Sequence, residues 1–247
     1  MSGLKLQTEN ISKSYDGRLI IDNINIQLNK NEIVSIIGLS GSGKTTLFNI
    51  LSGLEMPDNG LVLLDEENIN GKPGKISYML QKDLLLPHKK IIDNVILGLI
   101  VKGMSKAEAY KKCEGLFEAF GIEDAKDLYP NQLSGGMRQR AAFLRTYLSA
   151  EGVALLDEPF SALDTITKSS MHKWYIEMME KIDLSTIFIT HDIEEALYLS
   201  DRIYVLGGNP VTILEEIVVP KDRKEREEFI MSNEFLSYKK QLKDMLL

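Results

Sequence analysis

Three short segments of this chain carry residue types that can do phosphate chemistry. The first is Gly-Leu-Ser-Gly-Ser-Gly-Lys-Thr at 38–45. Its glycines at 38, 41 and 43 let the backbone turn sharply and aim several N–H groups at one point. A β-rich apolar run at 33–37 precedes it and helical periodicity follows Lys44, so a helix N-terminus adds its partial positive charge to an anion site. In that setting Lys44 reaches the β- and γ-phosphates of a nucleoside triphosphate and Thr45 offers its hydroxyl to magnesium. The second segment is Asp157-Glu158, directly after the apolar run 153–156, at the carboxyl end of a strand where ligands bind in open α/β sheets. There Asp157 is placed to hold magnesium directly or through water, and Glu158 to polarise an attacking water. The third is Leu-Ser-Gly-Gly-Met at 133–137. Ser134 suits a helix N-cap, and Gly135 and Gly136 permit close backbone approach. Taken singly, each segment has a plainer reading: a glycine-rich turn, an acidic helix cap, a capped helix.

The elements that must position these residues are legible in the hydrophobic pattern. Ile24, Ile26 and Leu28 alternate with polar residues, and further strands are expected at 61–64 and 76–79. From about 82 to 150 the pattern turns helical, with helices expected over 91–101, 106–120 and 136–148. A buried strand at 153–156, a helix at 167–181, a strand at 186–190, a helix at 193–200 and a strand at 202–206 follow. Strands alternating with helices imply a mainly parallel sheet covered on both faces. The expected organisation is an α/β domain over 1–220, interrupted by a helical subdomain at about 82–150, and a helical tail over 221–247. In the tail, Phe229, Ile230, Phe235 and Leu236 are the candidate buried positions.

Composition narrows the alternatives. A formal net charge of −7 argues against non-specific nucleic-acid binding, which depends on Lys and Arg neutralising phosphates. A single cysteine, Cys113, excludes an internal disulfide and reads as an inert helix residue in a reducing compartment. No apolar run approaches the roughly 18 residues of a membrane span, and the N-terminus lacks a basic segment followed by an apolar one. The charge run 221–228 alternates in sign and reads as a solvated helix start. His172 reads as a solvated helix residue, and His88 as a loop residue or part of a surface facing a membrane subunit.

The ordered series of motifs resembles the ATP-binding subunit of ATP-binding cassette (ABC) transporters, collinear from about residue 4 to 206. Its elements are Tyr15 in Ser-Lys-Ser-Tyr-Asp-Gly, the phosphate loop, Gln81 after a strand, Leu-Ser-Gly-Gly, Leu-Leu-Asp-Glu-Pro, Ser-Ala-Leu-Asp at 161–164, and His191 in Thr-His-Asp. The resemblance implies an α/β P-loop NTPase (RecA-like) core with an N-terminal antiparallel β region and an inserted α-helical subdomain. It implies that Tyr15 stacks on adenine, although alone this residue is an ordinary strand aromatic. Gly38, Ser40, Gly41, Ser42, Gly43, Lys44, Thr45 and Thr46 would hold the phosphates. Thr45, Gln81 and Asp157 would hold Mg2+, while Glu158, His191 and Lys44 carry catalysis. Ser134, Gly135, Gly136 and Asp164 would face ATP held by a second copy, giving an ATP-dependent homodimer with two composite sites.

The runs 84–99 and 157–206 are similar to bacterial import ATPases of the nitrate/sulfonate/taurine group, which includes thiamin-precursor importers. That implies transmembrane permease subunits as partners, a solute-binding protein acting indirectly, no nucleic acid, and a peripheral place on the cytoplasmic face of the membrane. With the chain stopping soon after the core, no larger regulatory domain is expected. Two other readings stay open: the ATPase of an ABC exporter, and a non-transport ABC ATPase, which usually carries a long coiled coil or tandem cassettes. Two departures stand out. His88 occupies a position where relatives often place tryptophan, and Met137 one where the family usually has glutamine, whose amide hydrogen bonds methionine cannot reproduce.

Overall fold

Leu4–Tyr15 (β1) pairs antiparallel with Arg18–Ile24 (β2) and with Gln27–Asn29 (β3). The computed structural model describes residues 3–39, 41–220 and 222–246, so Ser40 lies outside the described residues. After Ile33–Gly38 (β4) and the helix Lys44–Leu51 (α1), the strands Asn59–Leu64 (β5) and Glu67–Asn68 (β6) complete this first sheet, with β5 antiparallel to β1. Among the described residues, the second sheet holds six strands. Ser77–Met79 (β7), Val153–Asp157 (β8), Ser185–Ile189 (β9) and Arg202–Gly207 (β10) join β4 in parallel, and Thr212–Val218 (β11) runs antiparallel at one edge. The order is β11-β10-β4-β9-β8-β7. Every residue of β4 and β9 is buried, which is why both read as continuous apolar runs rather than alternating ones.

Between β7 and β8 lies the helical insertion: Ile91–Val95 (α2), Leu97–Val101 (α3), Lys106–Lys112 (α4), Leu116–Ala119 (α5) and Gly135–Ser149 (α6). Two of the expected single helices are divided. The first loosens at Ile96 (φ −82°, ψ −3°), although the Ile100 N–H still donates to the Ile96 carbonyl at 3.1 Å. The second stops because Gly115 takes φ +76°, a left-handed conformation that a helix interior does not contain. Cys113 is buried there, and burial pushes its thiol up to about 11, consistent with an inert residue.

Thr165–Met179 (α7) and Ile193–Leu199 (α8) cover the sheet after β8 and β9. An aromatic cluster ties α7 to the insertion, with the Phe143 ring edge-on to Trp174 (5.8 Å) and Tyr175 (5.4 Å). His172 is not solvated as expected. It is 9% exposed, with its ring edge-on to Phe160 at 4.8 Å, because it shares the inward face of α7 with Tyr175 and Ile176.

The tail forms Arg226–Phe229 (α9) and Asn233–Leu246 (α10). Phe229 and Phe235 are buried as expected, together with Leu242, in a core shared with Ala196, Leu197, Ile203 and Ile217. Ile230 is half-buried, and Leu236, expected inside, is exposed on the outer face of α10. The charge run is likewise not simply solvated. Arg226 is 1% exposed and donates to the carbonyls of Leu197 (3.2 Å) and Ser200 (2.6 Å), which the end of α8 leaves without helical partners. Burial lowers its guanidinium to about 10. Arg223 pairs with Asp201. Among the described residues, no helix is long and apolar enough to cross a membrane.

Candidate active site

Parallel strand β4 delivers the chain to Gly38, where a Cβ would lie 2.9 Å from the Leu206 carbonyl oxygen. Only glycine fits so close to the neighbouring strand. Gly41 (φ +79°) and Gly43 (φ +68°) are left-handed, as the reversal into α1 requires. Lys44 folds over the loop it terminates: its Nζ donates to the carbonyls of Gly38 (2.8 Å) and Leu39 (2.7 Å) and to Ser42 Oγ (3.2 Å). Burial lowers the Lys44 pKa against the attraction of Glu158 and Asp157. Among the described residues, no side-chain hydrogen bond caps α1 and its first turn holds no acid, so its N-terminus presents the positive end of the helix dipole to the cleft.

β8 carries the acidic pair to the same place. Asp157 is half-buried and accepts from Tyr78 Oη at 3.3 Å. Burial raises its pKa, with the Tyr78 hydrogen bond and Lys44 acting against that rise. Glu158 has φ +45°, a left-handed conformation costly for a side chain with a Cβ (about 1–3 kcal/mol), fixed in part by its N–H donating to the Ile189 carbonyl at 3.0 Å. Its carboxylate meets two partners: Gln81 Nε2 donates to Oε2 at 3.1 Å, and His191 Nδ1 lies 3.2 Å from Oε1. Gln81 follows β7 and His191 follows β9, so the strands on either side of β8 place both on one carboxylate.

Tyr15, Gly41, Ser42, Gly43, Lys44, Thr45, Thr46, Gln81, Asp157, Glu158 and His191 line a single cleft of about 710 Å³. Gly38 lies beneath it at the end of β4. The Tyr15 ring is 42% exposed and its hydroxyl donates to Glu55 at 2.5 Å, a partner that sequence spacing does not reveal. Thr45, Gln81 and Asp157 offer a hydroxyl, an amide oxygen and a half-buried carboxylate, the hard oxygen donors that suit magnesium. The donor set therefore fits the ion.

Ser134, Gly135, Gly136 and Asp164 do not line that cleft. Ser134 caps α6, its Oγ accepting from the Met137 N–H at 3.3 Å. A Cβ on Gly135 would meet Leu163 Cδ2 at 3.4 Å, and one on Gly136 would meet Thr167 Cγ2 at 3.3 Å. Asp164 caps α7, accepting from Ile166 (3.2 Å) and Thr167 (3.1 Å), and hydrogen bonds at Thr167 hold its carboxyl below the usual range. The two segments thus share one surface, apart from the chain's own phosphate loop. Met137 packs its side chain on the helical core. Gln139, which no sequence motif marks, is buried two residues on and donates to the Pro159 carbonyl, linking α6 to the Asp157-Glu158 turn.

Residues 21–161 match the ABC transporter family. The formylaminopyrimidine import ATP-binding protein ThiZ of Halalkalibacterium halodurans is 42% identical over 245 residues, covering 98% of this chain and 96% of that protein. The nitrate import ATP-binding protein NrtD of Synechocystis is 34% identical over 220 residues, covering 87% of this chain and 83% of that protein. Among solved structures, a dimeric post-hydrolysis state of the ATP-binding cassette MJ0796 bound to ADP and Pi aligns with a TM-score of 0.72 and 29% identity, covering 88% of this chain and 100% of that one.

Proposed function

Since the chain belongs to the ABC transporter family, we propose that its ATP site is completed by a second copy of itself and that closure and opening of this pair energise a membrane importer. The protein is an ATP-hydrolysing subunit of an ABC importer for a small solute. The observation that carries the composite site is spatial. One surface of α6 and α7 presents capped helix ends and glycines, yet lies outside the cleft that holds Lys44, Asp157 and Glu158.

Tyr15 stacks on the adenine, and the loop N–H groups with Lys44 hold the phosphates. Thr45, Gln81 and Asp157 would hold magnesium, which when bound would supply positive charge to neutralise the phosphates. Glu158 accepts a proton from the attacking water, and His191 orients that carboxylate and the γ-phosphate. Ser134, Gly135 and Gly136 of the partner copy bring an α6 N-terminus to the γ-phosphate, and Asp164 supports the partner's site. ATP then joins two half-sites, and loss of the γ-phosphate releases them.

Transmembrane permease subunits dock near Gln81 and the helical insertion, on the cytoplasmic face, and a solute-binding protein delivers the solute to them. Identity to the ThiZ and NrtD proteins supports a solute of the thiamin-precursor or nitrate/sulfonate/taurine type. Co-purification with the membrane subunits, followed by ATPase assays with candidate binding proteins and solutes, tests the importer reading. ATPase activity should rise with solute-loaded binding protein. Full stimulation by solute without any binding protein would favour an exporter.

The adenine contact has its own test. Base–aromatic stacking contributes about 1–3 kcal/mol by alanine substitution, so Tyr15→Ala should raise KM for ATP at least about fivefold with kcat nearly unchanged. Steady-state ATPase assays read this directly, and an unchanged KM would remove Tyr15 from the site.

A further inference from the structure

Asp164 and His191 sit on different elements, and an ion cluster bridges the two helices that begin beside them. Asp164 caps α7, while His191 directly precedes Asp192, which caps α8 by accepting from the N–H groups of Glu194 (3.0 Å) and Glu195 (3.2 Å). One turn into α7, the Lys168 N–H donates to the Asp164 carbonyl at 2.8 Å. Its side chain crosses to α8, where Nζ lies 2.7 Å from Asp192 Oδ2 and 2.8 Å from Glu195 Oε2. Lys168 therefore closes the first turn of one helix and pins the first turn of the other. Glu195 is 3% exposed, a buried carboxylate that needs a cation at this position. Burial disfavours the Lys168 ammonium, yet hydrogen bonds to Asp192 and Glu195 prevail and hold its pKa above the usual value. Asp192 shows the reciprocal result: burial works against its charge, but Lys168 and the capping N–H groups hold it below the usual carboxylate range.

His172 of α7 also approaches α8, its Nε2 3.3 Å from Glu195 Oε2, and the remaining side-chain ties of α8 run to the tail. Arg226 grips its far end and Lys239 pairs with Glu194 on its outer face. His191 itself is largely exposed, and its Nδ1 meets the Glu158 carboxylate. The position of the imidazole thus depends on the backbone anchored at Asp192.

We propose that Lys168 is a positioning residue for ATP hydrolysis, fixing the His191 loop to the helix capped by Asp164. A shift of α7 when Asp164 meets a partner's phosphate loop then moves His191 relative to Glu158 in the same chain. The inference rests on the composite-site reading above and adds to it the route by which one site's closure reaches the chemistry of the other.

The test uses the full chain. Lys168→Met is expected to lower kcat at least about tenfold, since small misplacements of catalytic groups cost that much or more, while KM for ATP changes less than about twofold. Lys168→Arg, which keeps the cation, is expected to restore kcat to within about threefold. If Lys168→Met does not fold, Asp192→Asn decides the matter, because asparagine keeps the helix cap but removes the salt bridge from Lys168 to the residue beside His191, leaving only the one to Glu195. It should lower kcat without moving KM. Glu158→Gln is measured alongside. A dead Glu158→Gln with wild-type kcat in Lys168→Met, or in Asp192→Asn where that variant decides, overturns the coupling alone. A fully active Glu158→Gln overturns the underlying catalytic reading instead. Equal losses in kcat and ATP affinity, with no rescue by arginine, would reduce Lys168 to a purely structural role.

Discussion

Glu158→Gln should stop turnover while leaving ATP bound. The substitution keeps the length of the side chain and an oxygen that can accept from Gln81, but removes the carboxylate that lies beside His191. A positioned base contributes about 10²- to 10⁴-fold to a proton transfer, so kcat is expected to fall by at least about 10²-fold. The strained backbone at Glu158 is held by its N–H to Ile189 rather than by its side chain, so the turn keeps its form. Nothing in the phosphate loop or at Tyr15 changes, and nucleotide affinity should hold. If release of the pair requires loss of the γ-phosphate, as proposed, the variant should accumulate as a dimer in ATP and return to monomer in ADP. Size-exclusion chromatography with light scattering reads the dimer, and a phosphate-release assay reads the rate. Hydrolysis at the wild-type rate would remove Glu158 from its assigned role.

Gly135→Asp should be equally inactive for a different reason. A Cβ at Gly135 meets Leu163 Cδ2 at 3.4 Å, an ordinary contact, and no positive φ is imposed there. The residue opens α6 just after its Ser134 cap, a position where an acidic side chain stabilises a helix by about 0.3–1 kcal/mol. The variant should therefore melt no lower than wild type and bind ATP normally through its own intact phosphate loop. What it loses is the proposed anion site: a carboxylate would stand where the partner's γ-phosphate is proposed to dock. ATP-dependent dimer formation and hydrolysis should both disappear. Retained dimer formation with ATP would mean that the α6 terminus does not face nucleotide.

Much of this arrangement can be read from the chain because the relevant signals are local. Buried parallel strands appear as continuous apolar runs such as 33–37 and 153–156, and the glycines of the phosphate loop follow from turn geometry. What stays hidden depends on contacts between distant segments. Tyr78 reaches Asp157 across 79 residues, and Lys168 reaches Asp192 across 24. Neither partner carries a pattern that names the other. His172 and Arg226 mislead for the same reason. A polar side chain within a mixed helix, or in an alternating charge run, reads as solvated until the opposing surface is known, here Phe160 for the one and the carbonyls at the end of α8 for the other. Gly115 is legible in retrospect, since a glycine inside a helical period signals a possible stop.

The central claim is that each ATP site is shared between two copies, and one mixing experiment tests it most directly. Lys44→Ala removes the phosphate-loop cation but keeps the α6 terminus, while Gly135→Asp does the reverse. Each variant alone should be inactive, since every site in either homodimer contains one defective half. In a mixed dimer, one site has both defects and the other has none. Combining the two inactive proteins should therefore restore ATPase activity, rising with the fraction of mixed dimer. A mixture that forms the mixed dimer in ATP yet is no more active than its components would contradict the shared site.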